Sequence, residues 1–317
     1  MPLDPAFAPL LARLADTPPP VGDVDPVVAA RAGTAAMFTH PTAPDVAVVE
    51  HTIAGPDAND IVLRVYRPRD AAADDALPLL VFFHGGGFIA GSLDSHDGTA
   101  RELTARTGCV TVSVDYRLAP EHRFPCGLED CVAALAWCAA HPAELGADVS
   151  RIAIGGDSAG GNLCAATALA NRDRFGPEIV AQILVYPVID PSCCTPSMVH
   201  NGAGYMLTAD SMRWMWSQYL AAPGDVANAY AVPSRAASLA GLPPAVVVTA
   251  ELDPLRDEGE GYARQLIAAG VPVVCSRYGG QIHGFFSMYA LAPQAAVATE
   301  QVARALRRAF GTVAPTT

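Results

Sequence analysis

A serine stands between two glycines at Gly156-Asp157-Ser158-Ala159-Gly160, with a β-like run, Arg151-Ile152-Ala153-Ile154-Gly155, before it and a helix-like run from Asn162 to Ala170 after it. Strand, sharp turn and helix in that order narrow the chain to α/β architectures in which Ser158 is pushed out at the top of a sheet, as a nucleophile would be. Such a turn leaves room only for small neighbours, and Gly156 and Gly160 let strand and helix pass closely. The helix starts at the serine, so its free N–H groups and positive end face the place where an oxyanion would form.

The rest of the chain follows the same plan. Residues 46–52 and 61–66 read as strands joined by turn chemistry at Gly55-Pro56-Asp57-Ala58-Asn59-Asp60, and so as a hairpin. Strands over 77–83, 109–114, 179–186, 245–250 and 271–277 then alternate with helices over 95–107, 128–140, 258–269 and 295–310. This predicts an α/β fold with a mostly parallel central sheet flanked by helices. Two zones break the alternation. Residues 1–42 are rich in Pro and Ala, with helical patches such as 7–14, and residues 188–225 carry a helical stretch over 210–220 bearing Met212, Trp214, Met215, Trp216 and Tyr219. The second zone reads as an insertion over the sheet edge, which divides the core into 43–187 and 226–317 with a short disordered end.

Composition removes several functions. All 20 basic residues are arginine, so a Schiff-base lysine, a Walker-A loop, a kinase and a Ser-x-x-Lys acyl-transfer site are excluded. The net charge of −12, unbroken by any basic stretch, argues against nucleic-acid partners and against docking on an anionic membrane. The eight cysteines form no Cys-x-x-Cys and no zinc-like spacing with histidine, so no metal is expected. Cys131 and Cys138 share a helix face and read as core, while Cys193-Cys194 is a vicinal pair in a loop. The N-terminus lacks the pattern of a secretory signal and no apolar run reaches spanning length, so the expected location is the cytoplasm.

A serine hydroxyl needs a base, and the base needs a group that fixes its tautomer. On sheets of this kind the chain order is serine, acid, histidine. Only His200 and His283 follow Ser158; His283, just past the last strand in Gln281-Ile282-His283-Gly284-Phe285, is preferred over His200 in the insertion. The acid should leave the end of the preceding strand, where Glu251, Asp253 and Asp257 stand. Asp253, followed by Pro254, is preferred; Glu251 would support it and Asp257 would cap the next helix. His84-Gly85-Gly86-Gly87-Phe88 follows a buried strand, and three successive glycines let several amides point one way, with the Ala159 amide completing an oxyanion hole. His84 reads as an orienting residue for that loop.

With these residues in place, the chain resembles the hormone-sensitive-lipase-like esterases of the α/β-hydrolase fold. The resemblance runs through His84-Gly85-Gly86-Gly87-Phe88, Asp115-Tyr116-Arg117-Leu118-Ala119-Pro120-Glu121-His122, Gly156-Asp157-Ser158-Ala159-Gly160-Gly161-Asn162, Asp253-Pro254-Leu255-Arg256-Asp257-Glu258-Gly259 and His283-Gly284-Phe285, in matching order over about residues 80–290. It implies a small helical cap made from the N-terminal segment and the insertion. It also implies a triad of Ser158, Asp253 and His283, and oxyanion donors at Gly86, Gly87 and Ala159. No cofactor is implied; the substrate is a small ester with a short to medium acyl chain, and a homodimer is consistent with the family. Tyr205, Met206, Trp214, Met215 and Trp216 are the candidate pocket residues, with packing of the cap onto the core as the alternative for most of them. Two departures stand out: Cys126-Gly127 replaces an Ala-Ala pair, and Gly279-Gly280-Gln281 stands where Pro-Gly is usual, which is expected to loosen the histidine loop. An amidase or arylformamidase would use the same groups. A ligand-binding receptor on this fold would lack the catalytic histidine, which is present here. No long amphipathic lid of the kind an interfacial lipase uses is evident.

Overall fold

The computed structural model describes residues 2–16, 25–38, 40, 42–72 and 74–312. Parts of the N-terminal segment and the expected disordered end therefore lie outside the described residues. Eight strands form one sheet: β1 (Ala47–Ala54), β2 (Asp60–Arg67), β3 (Leu77–Phe83), β4 (Val110–Asp115), β5 (Ala147–Asp157), β6 (Ala181–Val185), β7 (Ala245–Leu252) and β8 (Val273–Ile282), in the spatial order β1-β2-β4-β3-β5-β6-β7-β8. β1 and β2 pair antiparallel through the expected hairpin, and β2 pairs antiparallel with β4. From β4 to β8 every pairing is parallel. The α-helices are α1 (Ala8–Asp16), α2 (Pro26–Met37), α3 (Asp97–Thr107), α4 (Cys126–Ala140), α5 (Pro142–Leu145), α6 (Ala159–Asp173), α7 (Pro196–His200), α8 (Ala209–Tyr219), α9 (Arg256–Ala268) and α10 (Pro293–Ala309).

The near-continuous apolar run of β3 reflects cover on both faces. Leu79, Val81 and Phe83 pack in one cluster with Leu128, Cys131, Leu135 and Cys138 of α4, Leu163 of α6 and Leu266 of α9. Leu80 and Phe82, one residue out of phase, pack in a second cluster with Leu103 of α3, Val302 and Leu306 of α10, and Phe7 and Leu10 at the N-terminal end. The expected face shared by Cys131 and Cys138 is thus core, and burial pushes the Cys138 thiol up to about 12. Of the vicinal pair, Cys193 is buried and Cys194 exposed.

The Asp115–His122 stretch is an anchor between layers. Arg117 donates through its backbone amide, Nε and Nη2 to the fully buried Asp130 of α4 at 2.8–2.9 Å, and through Nη1 to Asp57 in the β1–β2 turn at 2.9 Å. Tyr116 donates its hydroxyl to the His84 carbonyl at 2.7 Å, which ties this stretch to the glycine loop.

β8 runs five residues past its expected end. Gly280 lies at φ +71°, where the β7–β8 register shifts, and its left-handed conformation is what a non-glycine residue would resist. The strand is held there at several points. Gly280 donates to Glu251 at 2.9 Å and accepts from the Asp4 amide at 2.9 Å, and Gln281 donates to the Asp4 carboxylate at 2.9 Å. The segment expected to be loose is instead a pinned strand that delivers residue 283.

Candidate active site

The strand β5 and the helix α6 are separated by one residue, Ser158, at φ +56° and ψ −119°. That strained conformation is what turning from strand to helix in a single residue demands. A side chain on Gly156 would run into the Gly160 carbonyl, and one on Gly160 into the Phe83 carbonyl, so both glycines are required by close approach. The Ser158 amide donates to the Val185 carbonyl at 2.8 Å and its carbonyl accepts from Val188 at 3.1 Å, which holds the turn against β6.

His283 and Asp253 leave the ends of β8 and β7 on the same side of the sheet. His283 Nε2 lies 2.9 Å from Ser158 Oγ and its Nδ1 lies 2.8 Å from Asp253 Oδ2. A carboxylate only accepts, so Nδ1 carries the proton and Nε2 presents a lone pair to the serine hydroxyl. Asp253 is fully buried, and its other oxygen accepts from the Leu255 amide at 2.8 Å, so its aim is fixed from both sides. The competing candidates stand elsewhere. His200 is exposed at the end of α7. Glu251 braces β8 as described. Asp257 accepts from the Ser197 amide at 2.7 Å rather than capping its own helix; the Ser197 hydroxyl accepts the Asp257 amide at 3.0 Å.

Gly86 and Gly87 face the same space with φ of +130° and +63°, and Ala159 is the first residue of α6. An N–H in the first turn has no partner within its helix. Gly86 and Gly87 thus line the same cavity as Ser158, and the Ala159 amide, next to Ser158 in the chain, has no partner within α6.

Beneath the glycine loop lies a buried polar layer that sequence reasoning missed. Asp157 Oδ1 accepts from the Gly85 amide at 3.0 Å, its carboxylate lies 3.4 Å from His96 Nε2, and His96 Nδ1 lies 2.9 Å from Ser95 Oγ. Burial alone would raise the Asp157 carboxyl, but His96, His84 and the Gly85 N–H outweigh it and hold it below the usual range. The only advance signal was the position of Asp157 beside the serine, because its partners come from segments 61 to 72 residues away.

His84 stacks on Tyr116 with ring centroids 4.5 Å apart and is fully buried. Its Nδ1 donates to the Gly85 carbonyl at 2.9 Å, and Nε2 is buried without a hydrogen-bond partner among the described residues. Burial therefore lowers its pKa to about 4 from 6.5. The unfolded chain takes up this proton near 6.5 and the folded chain only near 4, so the stability involved is present above 6.5 and is lost as pH falls toward 4. The loss is about 3 kcal/mol. Urea unfolding at pH 7 and pH 4 should show the wild type losing about that much more than His84→Asn, which cannot titrate here; equal losses would contradict the assignment.

Ser158, His283 and the glycine loop open into one cavity of ≈ 270 Å³. Its walls include Ser158, His283, Gly86, Gly87, His96 and Asp157 from the core, Met206, Leu207, Met212 and Met215 from the region of α8, and Ala30, Gly33, Thr34, Met37 and Phe38 from α2 and its end. Of the five pocket candidates, Met206 and Met215 line the cavity. Trp214 instead packs with Ile89, Ala90 and Ala119, and Tyr205 packs with the cluster around Phe285. The reason is helical phase: Ser211, Met212 and Met215 share one face of α8, and Trp214 lies off it. Among the described residues, no group of three or more His, Cys, Asp and Glu side chains is placed to hold a metal ion.

A profile describing the α/β-hydrolase fold matches residues 80–287. The chain belongs to this family. Its relatives agree with the hormone-sensitive-lipase-like resemblance. The chain is 41% identical over 313 residues to the carboxylesterase NlhH of Mycobacterium tuberculosis, covering 96% of this chain and 97% of that one. It is 37% identical over 255 residues to an ethyl acetate hydrolase of Pseudomonas putida, covering 80% of each. Among solved structures, a hyperthermophilic esterase from the archaeon Pyrobaculum calidifontis superposes with a TM-score of 0.90 at 42% identity, over 97% of this chain and 99% of that one.

Proposed function

We propose that this chain is a serine carboxylesterase that hydrolyses short- to medium-chain carboxylic esters through an acyl-enzyme. The observation that carries the reading is the unbroken line from Asp253 through His283 to Ser158, with 2.8 and 2.9 Å contacts, at the floor of an apolar cavity. The relatives named as esterases support the ester over other acyl compounds.

In this mechanism Ser158 Oγ attacks the ester carbonyl while His283 Nε2 takes the hydroxyl proton. Asp253 stabilises the imidazolium that forms. The carbonyl oxygen, now negative, is held by the Gly86, Gly87 and Ala159 amides, each contributing roughly 3 kcal/mol to the transition state. His283 returns its proton to the departing alkoxide, and the alcohol leaves. Water, deprotonated by His283, then attacks the acyl-serine, and the acid is released as Ser158 regains its proton. The buried Asp157 acts at a distance, by holding the Gly85 amide and with it the start of the donor loop.

The substrate is a small molecule. Among the described residues, no helix is long and apolar enough to cross a membrane. The test is a comparison of p-nitrophenyl butyrate with the matching p-nitroanilide. The expected result is a kcat/KM at least about 100-fold higher for the ester. Comparable turnover of the two would point to an amidase, and binding of both without turnover to a receptor.

A further inference from the structure

We propose that Gly33 is the opening through which the longer apolar arm of an ester leaves the cavity, so that this one residue sets the chain length accepted. The proposal rests on the carboxylesterase reading of the same cavity. Four glycines line that cavity: Gly33, Gly86, Gly87 and Gly284. Three are dictated by the backbone, with φ of +130°, +63° and +82° for Gly86, Gly87 and Gly284. Their surroundings are also filled. A Cβ on Gly86 would strike the Ala90 carbonyl, one on Gly87 the Met215 thioether, and one on Gly284 would lie 3.1–3.3 Å from Met288, Met206 and Phe38.

Gly33 has neither reason. It lies in the interior of α2 in helical conformation, and a Cβ built on it meets no atom within 4 Å. Glycine is a poor choice inside a helix, and no close approach of another element to α2 requires it. What its missing side chain does is leave a gap in the wall, because Gly33 is solvent-exposed and lines the cavity at once.

The gap is fixed in place. Arg31, two residues earlier, donates to the Ile89 carbonyl at 2.8 Å and to the Ala119 carbonyl at 3.3 Å, and its guanidinium pairs with Glu121 at 2.7 Å. This clamps α2 to the chain just beyond Gly86 and Gly87. The long side chains of Met37, Phe38, Met206, Met212 and Met215 line the same cavity. Its ≈ 270 Å³ holds about nine water-sized groups at roughly 30 Å³ each. Ethyl acetate, with about six non-hydrogen atoms, fits within that; octyl acetate or ethyl octanoate, with about twelve, does not, and the end of its long arm must leave the cavity.

The test uses two series, ethyl esters of lengthening acids and acetates of lengthening alcohols, followed by proton release. Wild type should hydrolyse ethyl acetate and at least one of ethyl octanoate and octyl acetate. Gly33→Leu should keep kcat/KM for ethyl acetate within about threefold and lose at least about tenfold on the long member of one series, which assigns the arm to the acyl or the alcohol half. Leucine also favours a helix over glycine, so the fold is not put at risk. Gly33→Ala should fall between, and Ala35→Leu, exposed on the same helix but outside the cavity lining, should change neither series. The proposal is overturned if Gly33→Leu spares the long members, if it depresses ethyl acetate equally, if Ala35→Leu gives the same loss, or if wild type takes ethyl acetate but neither long ester. A wild type inactive on every ester would instead sink the carboxylesterase reading.

Discussion

Ser158→Ala should lower kcat for p-nitrophenyl butyrate on the order of a millionfold while leaving the fold intact. The size follows from what the change removes. Without Oγ there is no nucleophile for His283 to activate, and what survives is the contribution of the oxyanion donors and of substrate binding, about 10³–10⁴ over water. The stability half of the prediction follows from the contacts of residue 158. Its turn is held by backbone bonds from the amide to Val185 and from Val188 to the carbonyl, both of which alanine keeps. The unusual φ of +56° is borne by serine and alanine alike. The thermal midpoint should therefore move by only a few degrees. A variant that unfolds would show that the hydroxyl holds the elbow together, and a folded variant with activity within tenfold of wild type would remove Ser158 from the chemistry.

Asp253→Asn should lower kcat by about 10⁴ at neutral pH with little change in KM. Asparagine has the same shape and can still accept from the Leu255 amide. Its NH₂, however, faces His283 Nδ1 where the carboxylate oxygen stood at 2.8 Å. That favours the tautomer with the proton on Nε2, which then points a hydrogen at Ser158 instead of a lone pair. Glu251→Gln is the sharpest control, since Glu251 touches the Gly280 amide of β8 and not the imidazole. It should cost less than about tenfold. If the two variants fell by similar factors, the choice of Asp253 as the orienting acid would fail.

The parallel sheet and the positions of Ser158, Asp253 and His283 were legible because each rests on local chemistry. β3 is apolar throughout because it is covered on both faces, and the three side chains sit where a strand ends, which the sequence marks with Gly156, Pro254 and Gly284. Their convergence across 125 residues then follows from strand order alone.

What was not legible is the part of the pocket wall that α2 supplies. α2 buries only Val27, so it shows no apolar stripe to read, and its contribution to the cavity comes from Ala30, Gly33, Thr34 and Met37, none of them conspicuous. The Asp25-Pro26 pair was the available signal: Asp25 caps the helix by accepting from Val27 at 2.8 Å, with Pro26 at the first position. Trp214 and Trp216 drew attention by size, yet one packs against Ile89 and Ala90 and the other against Phe88 and Tyr219. The glycines before His283 read as slack because the partners of this stretch, Asp4 and Glu251, stand 277 and 29 residues away in the chain.

The whole mechanism turns on Ser158 Oγ taking the acyl group. Treatment with a diethyl p-nitrophenyl phosphate inhibitor, followed by intact-protein and peptide mass spectrometry, measures that directly. The expected result is one phosphoryl group per chain, carried on the peptide containing Ser158, with loss of esterase activity in step with labelling and no label on Ser158→Ala. Inactivation with the label on any other residue, or equal labelling of Ser158→Ala, would contradict it.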